Sequence, residues 1–340
     1  WQLEITTLTE PGKYLFVGPG QAIPEKAEAE GYRVFQSPTN SLLLGIRLMP
    51  EERDERMKIL RRIAIYPYSE RTNPRPRGYM TPNGKPWLAA NPRGMEYWER
   101  LADVLNKEPV AERDRFFMAM LKPLGIEKGK PFNPDERMRR ILDQAAKQGV
   151  AMSRAIVYAS REPDIRYWPD RHWEKMFLHN TTFERDGVND IDARTLWHYQ
   201  AIVVSPNLIS STPGAGTAYL TTFRDDKSRF LDGSKTYKLR IAPNPPVKNF
   251  WAVTAYDPTT RSLLDVGGNR NKSVGSRDNP VANPDGSVDV YFAPQAPAGK
   301  EKNWVPTHPD KGFFLVFRFY GPTEGYIDKT WVLNDLELIE

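Results

Sequence analysis

The stretch that decides the fold of the C-terminal region is FLDGSKTYKLRIAPNPPVKNFWAVTAYD, residues 230–257. It contains two strand-like runs: at 236–241 apolar residues alternate with Lys238 and Arg240, and 250–256 consists of aromatic, aliphatic and β-branched residues. Turn-forming residues precede the first run (Asp232-Gly233) and separate the two (Pro243-Asn244-Pro245-Pro246). Runs bounded in this way predict β-strands that are joined by turns.

The same pattern continues to both sides of this stretch. Further strands are predicted at 218–223, 287–292 and 313–320, and turn residues such as Pro284-Asp285-Gly286 and Gly321-Pro322 lie beside them. Several short strands with turns between them are typical of an antiparallel sandwich. The sequence therefore predicts a C-terminal antiparallel β-sandwich of jelly-roll type over residues 206–340.

Residues 1–205 combine strands with helices. Strands are predicted at 13–17, 32–35 and 41–48, a helix at 51–65, an extended loop at 66–87, helices within 93–160, and a last helix at 192–203. The predicted fold class is therefore α+β, with a mixed α/β N-terminal region, a helical middle and the C-terminal sandwich. We place the boundary between two domains, 1–205 and 206–340, where the composition changes at Ser205-Pro206.

One helix start is marked strongly by its residues. The tetrad Asn133-Pro134-Asp135-Glu136 has a capping residue, then Pro at the first helical position, then acids in the first turn. This order satisfies the free N–H groups of a helix end and complements its dipole. The helix is expected to run toward Val157, with Gly149 as a candidate interruption.

Composition excludes several classes of protein. The 340 residues include 30 Pro and no Cys. The absence of Cys excludes disulfide scaffolds, thiolate metal sites and Cys nucleophiles within this sequence. The net charge is only +5, and the densest basic run, 53–62, is interleaved with acids, so we predict no nucleic-acid partner. No apolar run approaches the length of a membrane span. The chain begins at Trp1 without Met, which we interpret as a truncated N-terminus.

The histidines and acids do not predict a metal site. His172 and His179 are seven residues apart, two turns if the segment is helical, and lack the spacing that places two ligands on one zinc ion. We expect them to lie at the edge of an apolar core face. The acids at 186–192 lack the order of a calcium-binding loop, so a capped turn is the favoured interpretation. We predict no metal and no cofactor.

Nucleophile motifs of hydrolases are absent, since no Gly-x-Ser-x-Gly segment occurs. His198 is a weak candidate for a general base, because it lies among polar residues at the end of the helix before the β region. The alternative, which we favour, is a hydrogen-bonded core histidine.

One group of polar residues in the β region is the best candidate for a binding site. Arg318 is notable because it interrupts the apolar run at 313–317, so it must face outward or have a buried partner. The predicted contacts of a small polar or anionic ligand, bound in a cleft between the domains, are Tyr256, Asp257, Arg277, Asn303, Trp304 and Arg318. The favoured alternative is an ion-pair network that fastens loops to the sandwich.

The C-terminal residues resemble the bacterial domain-of-unknown-function family numbered 1214. The resemblance covers about residues 215–340 and rests on the segments 230–237, 243–246, 250–257, 283–292, 297–304 and 319–324, followed by Trp331. The N-terminal residues 16–20 and 33–39 resemble part of a partner family, numbered 1254.

This resemblance implies a two-domain bacterial protein that is exported to the periplasm or outside the cell and forms a homo-oligomer. It implies no reaction and no catalytic residues. Three hypotheses follow from the sequence: a protein that binds a small polar or anionic ligand, a hydrolase or lyase with His198 as base, and a structural assembly protein.

Overall fold

The computed structural model describes residues 11–42, 44, 46, 48, 50–75, 78, 90–178, 182–201, 212–268 and 272–339. These residues form two compact units. The first unit consists of described residues within 7–87 and 101–133, and the second of those within 88–100 and 134–340. The domain boundary at 205/206 stays a prediction.

The first unit contains a parallel pair of strands. Strand β1 (Lys13–Val17) pairs with β2 (Tyr32–Gln36) in a register that sets Lys13 opposite Tyr32. Both strands agree with the predicted ones. Of the strand predicted at 41–48, residues 41, 42, 44, 46 and 48 are described and none is in a strand, while the others lie outside the described residues. At the start of this segment, the buried carboxylate of Glu108 accepts hydrogen bonds from the backbone amides of Asn40 and Ser41, at 2.6 and 3.0 Å.

The helices follow the predicted pattern with small shifts at their ends. They are α1 (Arg53–Arg62), α2 (Met95–Lys107), α3 (Arg115–Leu121), α4 (Glu136–Tyr158) and α5 (Ile191–Gln200), and a single-turn helix, α6 (Glu324–Ile327), was not predicted. Helix α4 is capped by Asp135, which accepts from the Met138 amide at 2.7 Å, so Asn133 was the wrong cap. Gly149 does not interrupt its 23 residues. None of the described helices combines the length and apolar character required to cross a membrane.

The second unit is built on two sheets. The five-stranded sheet has the order β3 (Glu174–Lys175), β6 (Thr217–Thr222), β12 (Phe314–Pro322), β8 (Val247–Tyr256) and β9 (Ser273–Gly275), with every neighbouring pair antiparallel. The four-stranded sheet has the order β11 (Trp304–Pro306), β10 (Val288–Ala293), β7 (Tyr237–Ile241) and β13 (Glu337–Leu338), and only β10 and β11 are parallel. A small hairpin joins β4 (Glu184–Arg185) and β5 (Val188–Asn189).

Strand β12 shows how the sequence builds the core. Its side chains alternate between the two faces of the five-stranded sheet, as in any strand. Leu315, Phe317 and Phe319 are fully buried in one cluster with residues of the four-stranded sheet, such as Leu239 and Phe292. The two sheets therefore share one hydrophobic core.

The opposite face of the five-stranded sheet is called its outer face here. Phe314 and Val316 point to this face and belong to a second cluster with Val157 of α4 and with Leu196 and Trp197 of α5. Apolar side chains of α4 and α5 thus cover the half of the outer face that contains Phe314 and Val316, which we call the helix-covered half. Helices commonly cover one face of a sheet in α+β proteins.

The chain is an α+β protein with several antiparallel strand pairings, as the sequence predicts. The described strands of neither sheet close into a barrel. The jelly-roll connectivity stays a prediction.

Candidate functional site

Arg318 lies on the outer face of the five-stranded sheet, two residues beyond Val316 on β12. Its Nη2 donates to the Tyr256 hydroxyl at 2.6 Å, and its Nη1 donates to Thr254 Oγ1 at 3.2 Å. Both partners lie on the neighbouring strand β8, and both are uncharged. No carboxylate forms an ion pair with Arg318 in the part of the chain that the structure describes.

Aromatic rings surround this guanidinium. Its Cζ lies 5.5 Å from the ring centre of Tyr256 and 5.8 Å from that of Tyr219. Further along the same face, Phe250 and Tyr320 stack with ring centres 3.9 Å apart. The Cζ of Arg277 lies 4.1 Å above Phe250.

We call this surface the Arg318 face and define it by Arg318, Arg277, Tyr219, Tyr256, Phe250 and Tyr320. It combines a guanidinium that has only neutral partners among the described residues with flat aromatic surfaces. Guanidinium groups bind carboxylate and phosphate oxygens through pairs of N–H bonds, and aromatic rings contact flat organic groups. The arrangement is chemically suited to an anion that carries an apolar group.

Asp257 has a different environment, although it follows Tyr256 directly. Its carboxylate accepts from Lys311 Nζ at 3.0 Å and from the amides of Thr259 and Thr260 at 2.7 and 3.2 Å. Burial raises the pKa of this carboxyl, but these three donors outweigh burial and hold the pKa below its usual value. Asp257 therefore fixes a turn and a loop. The backbone of Lys311 packs closely against Gly233. A Cβ added to Gly233 would lie only 2.5 Å from the Lys311 carbonyl oxygen.

Asn303 and Trp304 lie at the edge of the four-stranded sheet, away from the strands that carry Arg318. Asn303 is buried, and its amide group bonds to the Val281 amide at 2.7 Å and to the carbonyls of Val281 and Asp289 at 2.8 and 2.9 Å. Trp304 Nε1 donates to the Ala293 carbonyl at 2.9 Å. These contacts fasten the segment before β11 to strand β10. Of the six predicted contacts, the structure brings Tyr256, Arg277 and Arg318 to one face.

His198, the candidate base, lies in the last turn of α5. It is half-buried, and its ring centre is 5.4 Å from that of Phe183. Its role as a base stays a hypothesis.

The acids of the 186–192 segment include a helix cap, as favoured above. Asp190 caps α5 by accepting from the Ala193 amide at 2.8 Å, and it also pairs with Arg185 at 3.1 Å. No group of three or more potential metal ligands occurs in the described ranges.

His172 lies in a bend just before the edge strand β3 and not in a helix. His172 Nδ1 lies 3.0 Å from Asp335 Oδ2, and its Nε2 lies 2.7 Å from Ser228 Oγ. His179 is outside the described residues. No local motif could have revealed this contact, since the three residues are separated by 56 and 163 positions along the chain.

Comparison with known proteins confirms the resemblance of the C-terminal region. Residues 216–324 match the family described as "Protein of unknown function (DUF1214)". No curated protein matches the chain significantly.

Two solved structures are similar to this chain. The VPA0106 protein from Vibrio parahaemolyticus shares 18% identity with it, with a TM-score of 0.48, over 98% of this chain and 77% of that one. A putative uncharacterized protein from Burkholderia cenocepacia shares 15% identity, with a TM-score of 0.28, over 67% of this chain and 50% of that one.

Proposed function

We propose that this protein binds a small organic anion, an aromatic carboxylate in the simplest case, on the Arg318 face of its second unit. The observation that carries the proposal is the pairing of Arg318, whose described hydrogen-bond partners are all neutral. Several other arginines of the second unit have a carboxylate partner. Arg240, for example, pairs with Asp285 at 2.6 Å.

The hydrogen bonds of Arg318 leave donors for a ligand. A guanidinium carries five N–H donors, of which two are used by Thr254 and Tyr256. Those two bonds also hold the side chain in place, which reduces the entropy that a ligand would otherwise cost to order it. A carboxylate that accepts from the remaining donors would gain a charge-assisted pair in partly desolvated surroundings.

The rings beside Arg318 favour an aromatic or otherwise flat organic group on this anion. Tyr219 and Tyr256 flank the guanidinium, and the Phe250–Tyr320 stack extends the apolar surface along the strands. Arg277 adds a second positive charge over Phe250. An inorganic anion would use the charge alone, whereas an aromatic carboxylate would use both properties.

The test is calorimetric titration of the protein with benzoate, with neutral benzamide as the matched ligand. We expect benzoate to bind and benzamide to bind at least about tenfold more weakly, since a charge-assisted hydrogen bond contributes about 1.5–3 kcal/mol. Arg318→Gln should remove this preference, and Tyr256→Phe should weaken benzoate binding less. Arg140→Gln is the control, because Arg140 pairs with Glu136 on the exposed side of α4. Equal binding of the two ligands, no binding of benzoate, or an unchanged Arg318→Gln variant would contradict the proposal.

The broader features implied by the family resemblance are part of the same proposal. They are a jelly-roll connectivity, an N-terminal relation to the family numbered 1254, export from a bacterial cytoplasm and homo-oligomerisation. Their basis is the family resemblance alone, because the match over 216–324 is to a family of unknown function. Native mass spectrometry of the full chain tests the oligomer directly, and a monomer over the whole micromolar range would contradict it.

A further inference from the structure

Ser228, His172 and Asp335 form a hydrogen-bonded chain with the geometry of a nucleophile, a base and a residue that orients the base. Ser228 Oγ lies 2.7 Å from His172 Nε2, and Asp335 Oδ2 lies 3.0 Å from His172 Nδ1. Both distances are within the range expected for a nucleophile activated by a base. We propose that these three residues are an acyl-transfer site that hydrolyses esters of small polar alcohols. This inference is independent of the Arg318 face.

Asp335 holds His172 in the orientation that the reaction needs. Its second oxygen, Oδ1, accepts from the His172 amide at 2.8 Å, so the carboxylate is hydrogen-bonded to both the backbone and the ring of His172. The side chains of His172 and Asp335 are only 12% and 11% exposed. A carboxylate at Nδ1 favours the tautomer with the proton on Nδ1, which leaves Nε2 free to accept the Ser228 proton.

Ser228 is presented by a tight turn in a strained conformation. Its φ angle is +62°, in the left-handed region that residues with a side chain rarely adopt. The turn is held by the fully buried Asp225, which accepts from the amides of Lys227 and Arg229 at 3.0 and 2.9 Å and pairs with the Arg229 guanidinium at 2.7 Å. Ser228 itself is exposed. A serine raised on a strained turn beside a histidine is also how α/β-hydrolases present their nucleophile.

An open groove of about 600 Å³ borders this cluster. Asp335 is the member of the cluster that lines it, together with Arg171, the residue before His172, and Asp226, two residues before Ser228. Its basic residues are neutralised by acids: Arg171 pairs with Asp170 at 2.6 Å and Lys238 with Glu337 at 2.7 Å. Arg240, a third basic residue of the groove, pairs with Asp285.

The Asp226 carboxylate, in contrast, has no ion-pair partner among the described residues. The groove therefore disfavours anionic substrates and is suited to neutral or cationic polar esters. This preference is opposite to that of the Arg318 face.

The proposed reaction is ester hydrolysis in two steps. Ser228 Oγ attacks the carbonyl carbon while its proton moves to His172 Nε2, and Asp335 stabilises the resulting imidazolium. The tetrahedral intermediate then expels the alcohol oxygen, which takes the proton from Nε2, and an ester of Ser228 remains. Water repeats the sequence: its proton moves to Nε2, its oxygen bonds to the acyl carbon, and Ser228 leaves with that proton. The products are a carboxylic acid and an alcohol.

Turnover is expected to be slow because of the backbone around Ser228. The amides of 227, 228 and 229 all bond to Asp225, and that of 226 bonds to the Leu336 carbonyl. None of these four N–H groups is directed at an oxyanion. Loss of a single oxyanion donor costs about 10²–10³ in kcat in other hydrolases. Activated esters and covalent probes are therefore the sensitive reagents for this site.

The test uses a fluorophosphonate probe on the full chain, followed by intact-mass and peptide mass spectrometry. Ser228 Oγ displaces fluoride from phosphorus, and its proton leaves with the fluoride through His172. We expect one label per chain, located on Ser228, and a labelling rate that falls at least about 100-fold in His172→Gln. Asp335→Asn should lower the rate about tenfold or more and shift its pH profile, since the tautomer and the orientation of the ring are lost.

The matched control is Ser234→Ala, which changes an exposed serine in a turn where Oγ donates to Asp232 at 2.8 Å. This variant should label like the unmodified protein. Ser228→Gly should abolish the label and keep the fold, because Gly adopts positive φ without strain. The rate at which Ser228→Gly hydrolyses p-nitrophenyl acetate should fall to the rate measured without protein in a buffer that contains free histidine. Absence of label on Ser228, labelling spread over several serines, or a rate that is the same in His172→Gln would overturn the proposal, and the first two outcomes do so without any variant.

Discussion

The two halves of the outer face of the five-stranded sheet differ in chemistry although they share the same strands. On β12, Phe314 and Val316 are each 2% exposed beneath α4 and α5, whereas Arg318 and Tyr320 on the same face are half-buried. The alternation of the strand is identical in both halves. In the first half, the β12 side chains are the apolar Phe314 and Val316, and the helices keep water away from them. In the second half, β12 carries the charged Arg318, whose described hydrogen-bond partners are neutral. This contrast is what separates a packing surface from a candidate binding surface.

The largest effect is expected from truncation in the helix-covered half. Phe314 contacts the rings of Tyr158, Phe223 and Tyr256, so Phe314→Ala should lower the free energy of unfolding by about 3–5 kcal/mol. The matched variant in the other half is Tyr320→Ala, which removes a half-buried ring and should cost clearly less. Urea denaturation of both proteins measures the difference, and equal costs would erase the contrast between the two halves.

Glu174 tests how strongly the helix-covered half excludes charge. It lies opposite Thr221, in the same row of the outer face as Val316. Burial raises its pKa to about 7, against the opposing influence of Arg224 and Arg166. Because the folded-state pKa is above the unfolded value of 4.5, the contribution of Glu174 to stability is most favourable below pH 4.5 and declines as the pH rises to about 7.

Glu174→Gln should abolish this decline. We expect the variant to be more stable than the unmodified protein at pH 8, by an amount on the order of 2 kcal/mol, and to show no such gain at pH 4. Urea denaturation at the two pH values measures it. A variant that is less stable at pH 8 would mean that this part of the outer face accepts a carboxylate.

Asp257 provides the opposite case to Arg318. It is a predicted site residue, but its carboxylate already accepts hydrogen bonds from groups of the same chain. Asp257→Asn weakens the Lys311 pair and the bonds from Thr259 and Thr260, so we expect a loss of about 2 kcal/mol at pH 7. Since its folded-state pKa is lowered, the contribution is present at neutral pH and is lost as the pH falls below about 4. A thermal unfolding series from pH 7 to pH 3 follows this loss. A variant as stable as the unmodified protein at pH 7 would contradict the structural role of Asp257.

The smallest change in stability is expected at Arg318. Its two hydrogen bonds have hydroxyl partners on one neighbouring strand, so Arg318→Ala should cost no more than about 1 kcal/mol. The measurement is again urea denaturation, alongside Phe314→Ala. A loss above about 3 kcal/mol would indicate that Arg318 is part of the packing and that the two halves of the face are alike.

The strands with long runs could be predicted from the sequence, because alternation and turn residues are local properties. The five predicted strands of the β region correspond to β6, β7, β8, β10 and β12. Strands such as β3 and β13 were missed, since two residues carry no periodicity of their own and depend on the partner strand. The same limit applied to the His172 segment, where Glu174 and Lys175 pair as an edge strand.

The site could be predicted only in part. Arg318 was found because a charge inside an apolar run requires an explanation, and Tyr256 was included beside Asp257, which ends a predicted strand. Asp257 and Asn303 have the residue types of a binding site, but their partners are backbone amides and carbonyls and, for Asp257, the distant Lys311, which no pattern in the sequence reveals. The Ser228 cluster joins three distant loops, so only the three-dimensional structure brings it together.

The central claim, that Arg318 is available to an anion, is tested most directly by NMR of the arginine side chains. The Nε–H resonance of Arg318 can be assigned by its disappearance in Arg318→Lys. We predict that this resonance shifts progressively with added benzoate and not with benzamide, while the resonance of Arg240, which is paired with Asp285, stays in place. An Arg318 resonance that does not move with benzoate, or that moves equally with benzamide, would contradict the claim.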